Sequence, residues 1–315
     1  MRNYIIRRLL ASVLILWIIS VAVFVMLRIA PTDPAILLLG FSATPESIEA
    51  VHEQTGLNDP WHEQYFDWLG DVLTGDLGHS IFTGEDVATE LKERLPATLE
   101  LVILTFATTI IIGIPLGVVS AVYRNTPLDL GVRFIAILGL SIPTFWIATL
   151  VLLVPSEQWG YAPPIGETVS FFDDPWDNLR QFGPPALILG FAAAAALMRL
   201  VRSSLLEVLQ QDYIRTARAK GLRERVVVFG HAVRNSLIPV VTVLGLQLAG
   251  LLGGTVIVET VFTIRGVGSY ILTAIVRNDF LVVQSVALYL AATVVILNLI
   301  VDLLYAWLDP RIRYS

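Results

Sequence analysis

The residue types that carry most enzyme chemistry are few in this chain and lie in no catalytic spacing. The chain has four histidines, and none lies in an HExxH or similar metal-binding pattern. They are His52, His62, His79 and His231. No GxxxxGK[ST] phosphate loop is present, and Ser203-Ser204 lacks the GxSxG context of a nucleophilic serine. The absence of cysteine excludes a thiolate metal site. The sequence therefore predicts no catalytic residue, no metal and no cofactor bound by this chain, and it argues against an enzyme.

One basic stretch, Asp212–Pro239, stands out instead. A helix is predicted over Ser203–Lys220, because breakers are few and Gly221 follows as a stop residue. Tyr213, Ala217 and Gly221 recur at every fourth position, so they share a face on which small residues allow another backbone to approach closely. The cations around that face are Arg215, Arg218, Lys220, Arg223 and Arg225. The pattern favours docking to a protein groove, and its alternative is a basic loop held at the lipid headgroups.

The elements that must position this stretch are apolar helices. The chain of 315 residues is 55% hydrophobic and 15% charged. Six segments carry no charge, and about 20 apolar residues suffice to cross a bilayer, so the prediction is an all-α membrane protein with six transmembrane helices. The segments are Leu9–Leu27, Leu101–Tyr123, Phe134–Ser156, Phe182–Met198, Asn235–Val258 and Phe280–Val301. The first exceeds the length of a signal-peptide core and no cleavage site follows it, so it is expected to be retained.

The basic residues predict the orientation of the spans. With both termini cytoplasmic, 15 of the 21 Lys and Arg residues lie inside, which is the asymmetry that sets topology. The acidic residues show the opposite distribution, since 21 of the 27 fall outside. A high-salt environment is one hypothesis for this outer acidity, because salt screens like charges over short distances.

The predicted organisation follows from these spans. Residues 1–30 form the first span, residues 31–96 an external segment, residues 97–306 a core of five spans, and residues 307–315 a cytoplasmic tail. Within the core, residues 199–234 form the long cytoplasmic loop that contains the basic stretch.

The external segment is predicted to be helical. Thr44-Pro45-Glu46 is typical of a helix start, and Gly56 is the expected stop. A second helix is predicted over Pro60–Leu73, with aromatic residues on one face that indicate either interfacial anchoring or a docking surface. Two further outer pieces are expected to be irregular: residues 157–181 as a loop, and the region of Gly266 and Gly268 as a turn or re-entrant bend.

Few polar groups lie within the apolar segments. Such groups face a bundle interior or a pathway by default, so Gln247, Gln284 and Asn298 are candidate pathway-lining residues. Glu259 and Asp302 lie near segment ends, where snorkelling or capping is expected.

The basic stretch also carries a resemblance to a known family. Ala217-Arg218-Ala219-Lys220-Gly221 and the tail His231–Pro239 resemble the cytoplasmic coupling motif of ABC importer permeases of the dipeptide, oligopeptide and nickel branch. Further landmarks of that branch occur at Met26–Ala35, Gly75–Ser80, Arg94–Leu101, Ser141–Trp146, Glu259–Phe262 and Leu308–Tyr314. Two positions depart from its pattern, because Arg265 and Leu281 stand where the family usually has proline.

The resemblance implies a permease subunit in the cell membrane that imports dipeptides or oligopeptides. It also implies partners: ABC ATPase subunits that use ATP and Mg²⁺, a second permease subunit and an external substrate-binding protein, with lipids around the spans and no nucleic acid. The implied ATPase-coupling residues are Tyr213, Arg215, Ala217, Arg218, Ala219, Lys220 and Gly221. Nickel or another small solute is an alternative cargo, and a receptor, a scaffold or a channel without an ATPase is an alternative class.

Overall fold

The structure is a computed structural model that describes residues 2–29, 33–40, 43–160 and 168–308. Its helices in the first third of the chain are α1 (Arg2–Ile29), α2 (Pro34–Leu39), α3 (Pro45–Thr55), α4 (Trp61–Thr74) and α5 (Val87–Val122). The middle of the chain holds α6 (Pro127–Ser141), α7 (Thr144–Trp159), α8 (Pro175–Leu209), α9 (Asp212–Ala219) and α10 (Glu224–Val226). A π-helical segment (Val227–Val233), α11 (Arg234–Val261), α12 (Val267–Arg277) and α13 (Phe280–Leu308) complete it.

Five helical stretches are long and apolar enough to cross a membrane: Ile5–Ile29, Val87–Val122, Pro175–Leu209, Glu224–Val261 and Phe280–Asp302. The pair α6 and α7 adds a sixth if the two count as one span, although they meet at a bend of 95°. The all-α fold with multiple spans is thus confirmed, and the predicted span over Phe134–Ser156 is divided between two helices, α6 and α7. Pro143 explains the break, because a proline disfavours helical geometry in the residue before it, and Ile142 is extended at φ −89° and ψ 125°.

The chain forms two compact units. The first comprises residues 1–96 and 266–315, and the second comprises residues 97–265. In the first unit α1 packs along α13, and Arg8 pairs with Asp302 at 2.9 Å. Asp302 therefore acts as an ion-pair partner between two helices. The tail residues 309–315 lie outside the described residues.

The helices after the first span follow the predicted signals. Thr44 caps α3, Pro45 opens it, and Gly56 closes it in the left-handed conformation at φ 67°. The aromatic face of α4 packs on α1 within the same unit, where the Tyr65 and Ser20 hydroxyls lie 2.7 Å apart and the Tyr65 and Phe24 ring centroids 5.4 Å apart. Tyr65 thus serves a contact inside the chain, which neither predicted role of this face included.

Two outer pieces are more helical than predicted. Gly266 precedes α12 as its N-cap, so the region of Gly266 and Gly268 begins a helix where an irregular piece was expected. Re-entry into the membrane stays a prediction. The predicted loop of residues 157–181 contains the start of α8, because Asp174 accepts hydrogen bonds from the backbone N–H groups of Trp176 and Asp177. Residues 161–167 of that piece lie outside the described residues.

In the second unit α8 packs against α5, α6 and α11. Gly113 and Gly117 of α5 and Gly190 of α8 leave no room for a side chain between the two helices, which therefore approach closely. Glu259 is fully buried and accepts a hydrogen bond from Thr98 Oγ1 at 2.9 Å. Full burial excludes snorkelling of Glu259 to the interface, and the hydrogen bond from Thr98 stabilises its carboxylate inside the protein.

Candidate functional site

The basic stretch forms a short separate helix, α9, and the predicted continuous helix over Ser203–Lys220 is wrong. The chain breaks at Gln210 and Gln211 between α8 and α9. Leu205 and Ile214 are both fully buried in one hydrophobic cluster. Nine residues of unbroken helix would turn through about 900°, which would place these two side chains on opposite faces. The break lets both enter the same core.

The cluster that receives Ile214 fixes α9 to several helices at once. Its buried members include Val118 and Ala121 of α5, Leu205 of α8 and Val227 of the π-helical segment. Ala217 packs against the same cluster and is half-buried. A displacement of α9 must therefore either move these neighbours or open this core.

The face that carries Tyr213, Ala217 and Gly221 does not point only to solvent. Asn235 Nδ2 of α11 donates to the Tyr213 hydroxyl at 3.1 Å, and Ala217 lies against the cluster. Tyr213 and Ala217 thus contact the chain itself, while Tyr213 stays 44% exposed and Gly221 is exposed. The docking role of this face stays a prediction.

The solvent-facing surface of α9 and the following turn, here called the coupling surface, is cationic with an apolar margin. The Arg215 side chain is 71% exposed, and Ala219, Lys220 and Gly221 are exposed as well. The apolar margin consists of Leu222, Val226 and Phe229, which are 41%, 47% and 59% exposed. A cationic surface beside exposed apolar side chains is suited to a protein groove, because its charges can attract a partner of opposite charge and its apolar side chains can be buried on binding.

An ion pair braces the turn after α9. Arg218 donates through Nε and Nη2 to both carboxylate oxygens of Glu224, at 3.1 Å and 2.7 Å. The hydrogen bond with Glu224 raises the pKa of Arg218 above its ordinary value, so the guanidinium stays charged. Gly221 takes the left-handed conformation at φ 78°, which confirms the predicted stop residue and favours glycine there.

A buried carboxylate, which the sequence analysis did not single out, ties together the helices next to α9. Asp129 of α6 is fully buried and accepts from Ser120 Oγ of α5 at 2.6 Å and from the Asn125 N–H at 3.0 Å. Arg202 of α8 donates to its two oxygens at 2.9 Å and 3.0 Å, and Arg133 adds a contact at 3.4 Å. The available sequence signal was a lone acid in the first turn of a helix on the basic side of the membrane.

The candidate pathway residues differ in their surroundings. In the second unit Gln247 is half-buried, and its Oε1 has no hydrogen-bond partner among the described residues. In the first unit Gln284 is 1% exposed and Asn298 is half-buried. Their role as pathway-lining residues stays a prediction.

Comparison with known proteins gives the geometry a context. Residues 113–314 match the family described as the binding-protein-dependent transport system inner membrane component. Residues 1–102 match the N-terminal region of such membrane components. The fold is similar to a crystal structure of an amino acid ABC transporter with histidines, with a TM-score of 0.54, 14% identity and coverage of 71% of this chain and 94% of that chain.

Two curated relatives are similar over the whole length of both chains. The oligopeptide transport system permease protein AppB of Bacillus subtilis is 40% identical over 316 residues. The glutathione transport system permease protein GsiC of Escherichia coli is 39% identical over 315 residues.

Proposed function

The chain belongs to the family of binding-protein-dependent transport system inner membrane components, and from that premise we propose that it is the permease subunit of an ATP-driven importer for peptides. Its helices form part of a membrane pathway, and the protein is a multi-pass component of the cell membrane. The relatives named for oligopeptides and for glutathione both carry peptide cargo in their names, and this supports peptides over nickel or another small solute.

The observation that carries the proposal is the way α9 is held. Ile214 fixes the helix to a cluster drawn from α5, α8, the π-helical segment and α11, while Arg215 and Lys220 remain exposed. An ATPase subunit that binds the coupling surface and closes on ATP and Mg²⁺ would move this cluster as a rigid body. The ATP chemistry belongs to that partner, and this chain supplies the movement of the spans.

The remaining partners follow from the family description. A binding-protein-dependent system delivers its solute through a separate binding protein, which would dock at the external segment. A second permease subunit would complete the pathway. These partners are part of the proposal and rest on family membership.

A crosslinking experiment tests the proposal directly. The chain has no cysteine, so Lys220→Cys introduces a single thiol on the coupling surface. Expressed with its candidate ATPase, the variant should crosslink to that ATPase, whereas Ala50→Cys on α3 should not. Vesicles that contain the complete assembly should accumulate peptide only when ATP is present on the side of the membrane that carries the ATPase. Peptide flux without any ATPase would indicate a channel, and absence of any ATPase contact would indicate a receptor or scaffold.

A further inference from the structure

A cleft in the first unit is lined by four carboxylates. Asp59, Asp67, Asp71 and Asp76 border it, and the cleft has a volume of about 320 Å³. Its other lining residues are Arg28, Gly56, Gln64, Trp68, Leu77, Gly78, His79, Leu281 and Gln284. Leu281, one of the two positions that depart from the family pattern, is part of its wall. We call this site the acidic cleft.

The negative charge of the acidic cleft is not balanced within the described residues. None of its four aspartates makes an ion pair among them. Arg28, which also lines the cleft, supplies one positive charge against these four carboxylates; its Nε donates to Gln64 Oε1 at 2.9 Å and its guanidinium lies 4.6 Å from the centroid of the Phe24 ring. Asp67 and Asp71 lie four residues apart on α4, a spacing at which like charges repel and destabilise a helix. A bound cation would remove that repulsion.

Two polar groups in the wall are also without partners. Gln284 is 1% exposed and lines the cleft, and its side-chain amide makes no hydrogen bond with the residues that the structure describes. The indole N–H of Trp68 is buried and has no acceptor among the same residues. Leaving such groups unpaired is costly, and a ligand that carries both a donor and an acceptor would satisfy them.

The geometry selects the class of cation. The described residues contain no group of three or more acidic, histidine or cysteine side chains arranged to hold a metal ion. An organic ammonium does not need such a cage, because dispersed carboxylates and an aromatic face both attract it. An acceptor next to the ammonium would take the Trp68 N–H, and the Gln284 amide could bond either end.

We propose that the acidic cleft binds an ammonium group with an adjacent carbonyl, which is the chemistry of the amino terminus of a peptide. The inference deepens the proposed function and rests on it for the identification of that ligand as a transported peptide. It assigns Asp67, Asp71, Trp68 and Gln284 to a solute contact on the permease itself, outside the spans except for Gln284 of α13.

The test uses the purified full-length chain in detergent, without partners, and isothermal titration calorimetry. Glycinamide, which joins an ammonium to a carbonyl, should give saturable binding, and the uncharged N-acetylglycinamide should bind at least about tenfold more weakly. The variant Asp67→Asn/Asp71→Asn should weaken glycinamide binding by a similar factor while the unliganded chain melts at the same or a higher temperature, because a like-charge pair is removed.

Matched variants separate the site from general charge. Gln284→Met, of similar volume, should also weaken binding, whereas Asp177→Asn, an exposed acid of the second unit, should leave it unchanged. No saturable binding of glycinamide, equal binding of the acetylated probe, or no effect of the α4 and α13 variants would overturn the inference. The result is independent of the ATPase crosslink, so either proposal can fail while the other stands.

Discussion

Asp129 shows at the scale of one residue how a charge can be kept inside a largely apolar chain. Its two oxygens receive donors from Ser120, Asn125 and Arg202, so the carboxylate has hydrogen bonds in place of water. An intact buried ion pair contributes little net stability, whereas removing one partner costs much more because the other charge stays buried without a counter-ion. Replacement of Asp129 should therefore be felt in all three helices that it joins.

We predict that Asp129→Asn destabilises the protein by about 3–5 kcal/mol, because Arg202 then keeps a partly buried charge without its counter-ion. Thermal or denaturant unfolding in detergent measures the change. Asp212→Asn is the matched control, since Asp212 is 96% exposed in its pair with Arg215 and should change stability by no more than about 0.5 kcal/mol. Equal effects of the two variants would contradict this account of Asp129.

Some residues could be predicted from the sequence and others could not, for a physical reason. Thr44, Gly56 and Gly221 act within a few residues of themselves, so local rules predicted their capping roles. The partners of Asp129 and Glu259 lie far away in sequence, since Arg202 is 73 residues from Asp129 and Thr98 is 161 residues from Glu259. Only the fold brings these groups together.

At the scale of elements, the contact between α5 and α8 depends on missing side chains. A methyl group at Gly117 would lie 2.7 Å from Val201 Cβ and 2.9 Å from the Met198 carbonyl oxygen. The two backbones must separate to admit it, and a tightly packed interface cannot relax without cost.

We expect Gly117→Ala to destabilise the protein by about 1–3 kcal/mol through this overpacking. Gly131 of α6 is the matched control, because nothing lies within 4 Å of an added methyl group there. Gly131→Ala should be neutral or stabilising by up to about 1 kcal/mol, since alanine favours the helix. Melting temperatures of both variants in the same detergent provide the comparison, and a neutral Gly117→Ala would argue against the close contact.

A substitution that loosens the short helix α9 should impair transport in a different way from a substitution within the spans. Ile214→Ala removes the side chain that fixes α9 to its cluster and should cost about 2–5 kcal/mol of local packing. In the assembled transporter we expect ATP hydrolysis to continue while peptide uptake falls, because the movement is no longer passed to the spans. Ile214→Val, with a cost of about 0.5–1.5 kcal/mol, should retain most uptake. Parallel loss of hydrolysis and uptake would point to misfolding, which a binding assay with the ATPase would reveal.

The break before α9 illustrates why element boundaries escaped prediction. Local propensity favoured one helix from Ser203 to Lys220, and nothing in that stretch is a strong breaker. The deciding fact is that Leu205 and Ile214 share one core. A shared core is a property of the tertiary structure, so local helix propensity could not predict the break.

At the scale of the whole molecule, the number and orientation of the spans can be tested by labelling. We predict that Ala50→Cys reacts with a membrane-impermeant maleimide added to intact cells, whereas Lys220→Cys reacts only after permeabilisation. Three crossings separate these positions if the α6 and α7 pair spans the membrane, and two if it re-enters. Labelling of both cysteines from outside would therefore reject the predicted topology.

Composition alone predicted most of the architecture at this scale. The five long spans follow from uninterrupted apolar stretches, because a bilayer demands about 20 such residues whatever the packing. The angle between α6 and α7 does not follow from hydropathy, since a bent pair and a straight helix can have the same composition.

The corner at Ile142 and Pro143 has one more consequence. The two helices that meet there contain 15 and 16 residues, so each is about 23 Å long and neither reaches across about 30 Å of hydrocarbon alone. If the pair crosses the bilayer as one span, their junction falls within the hydrocarbon, where the peptide carbonyls that the bend frees cannot be left against acyl chains. In that case Pro143 must face water or another polypeptide, and lipid cannot cover it.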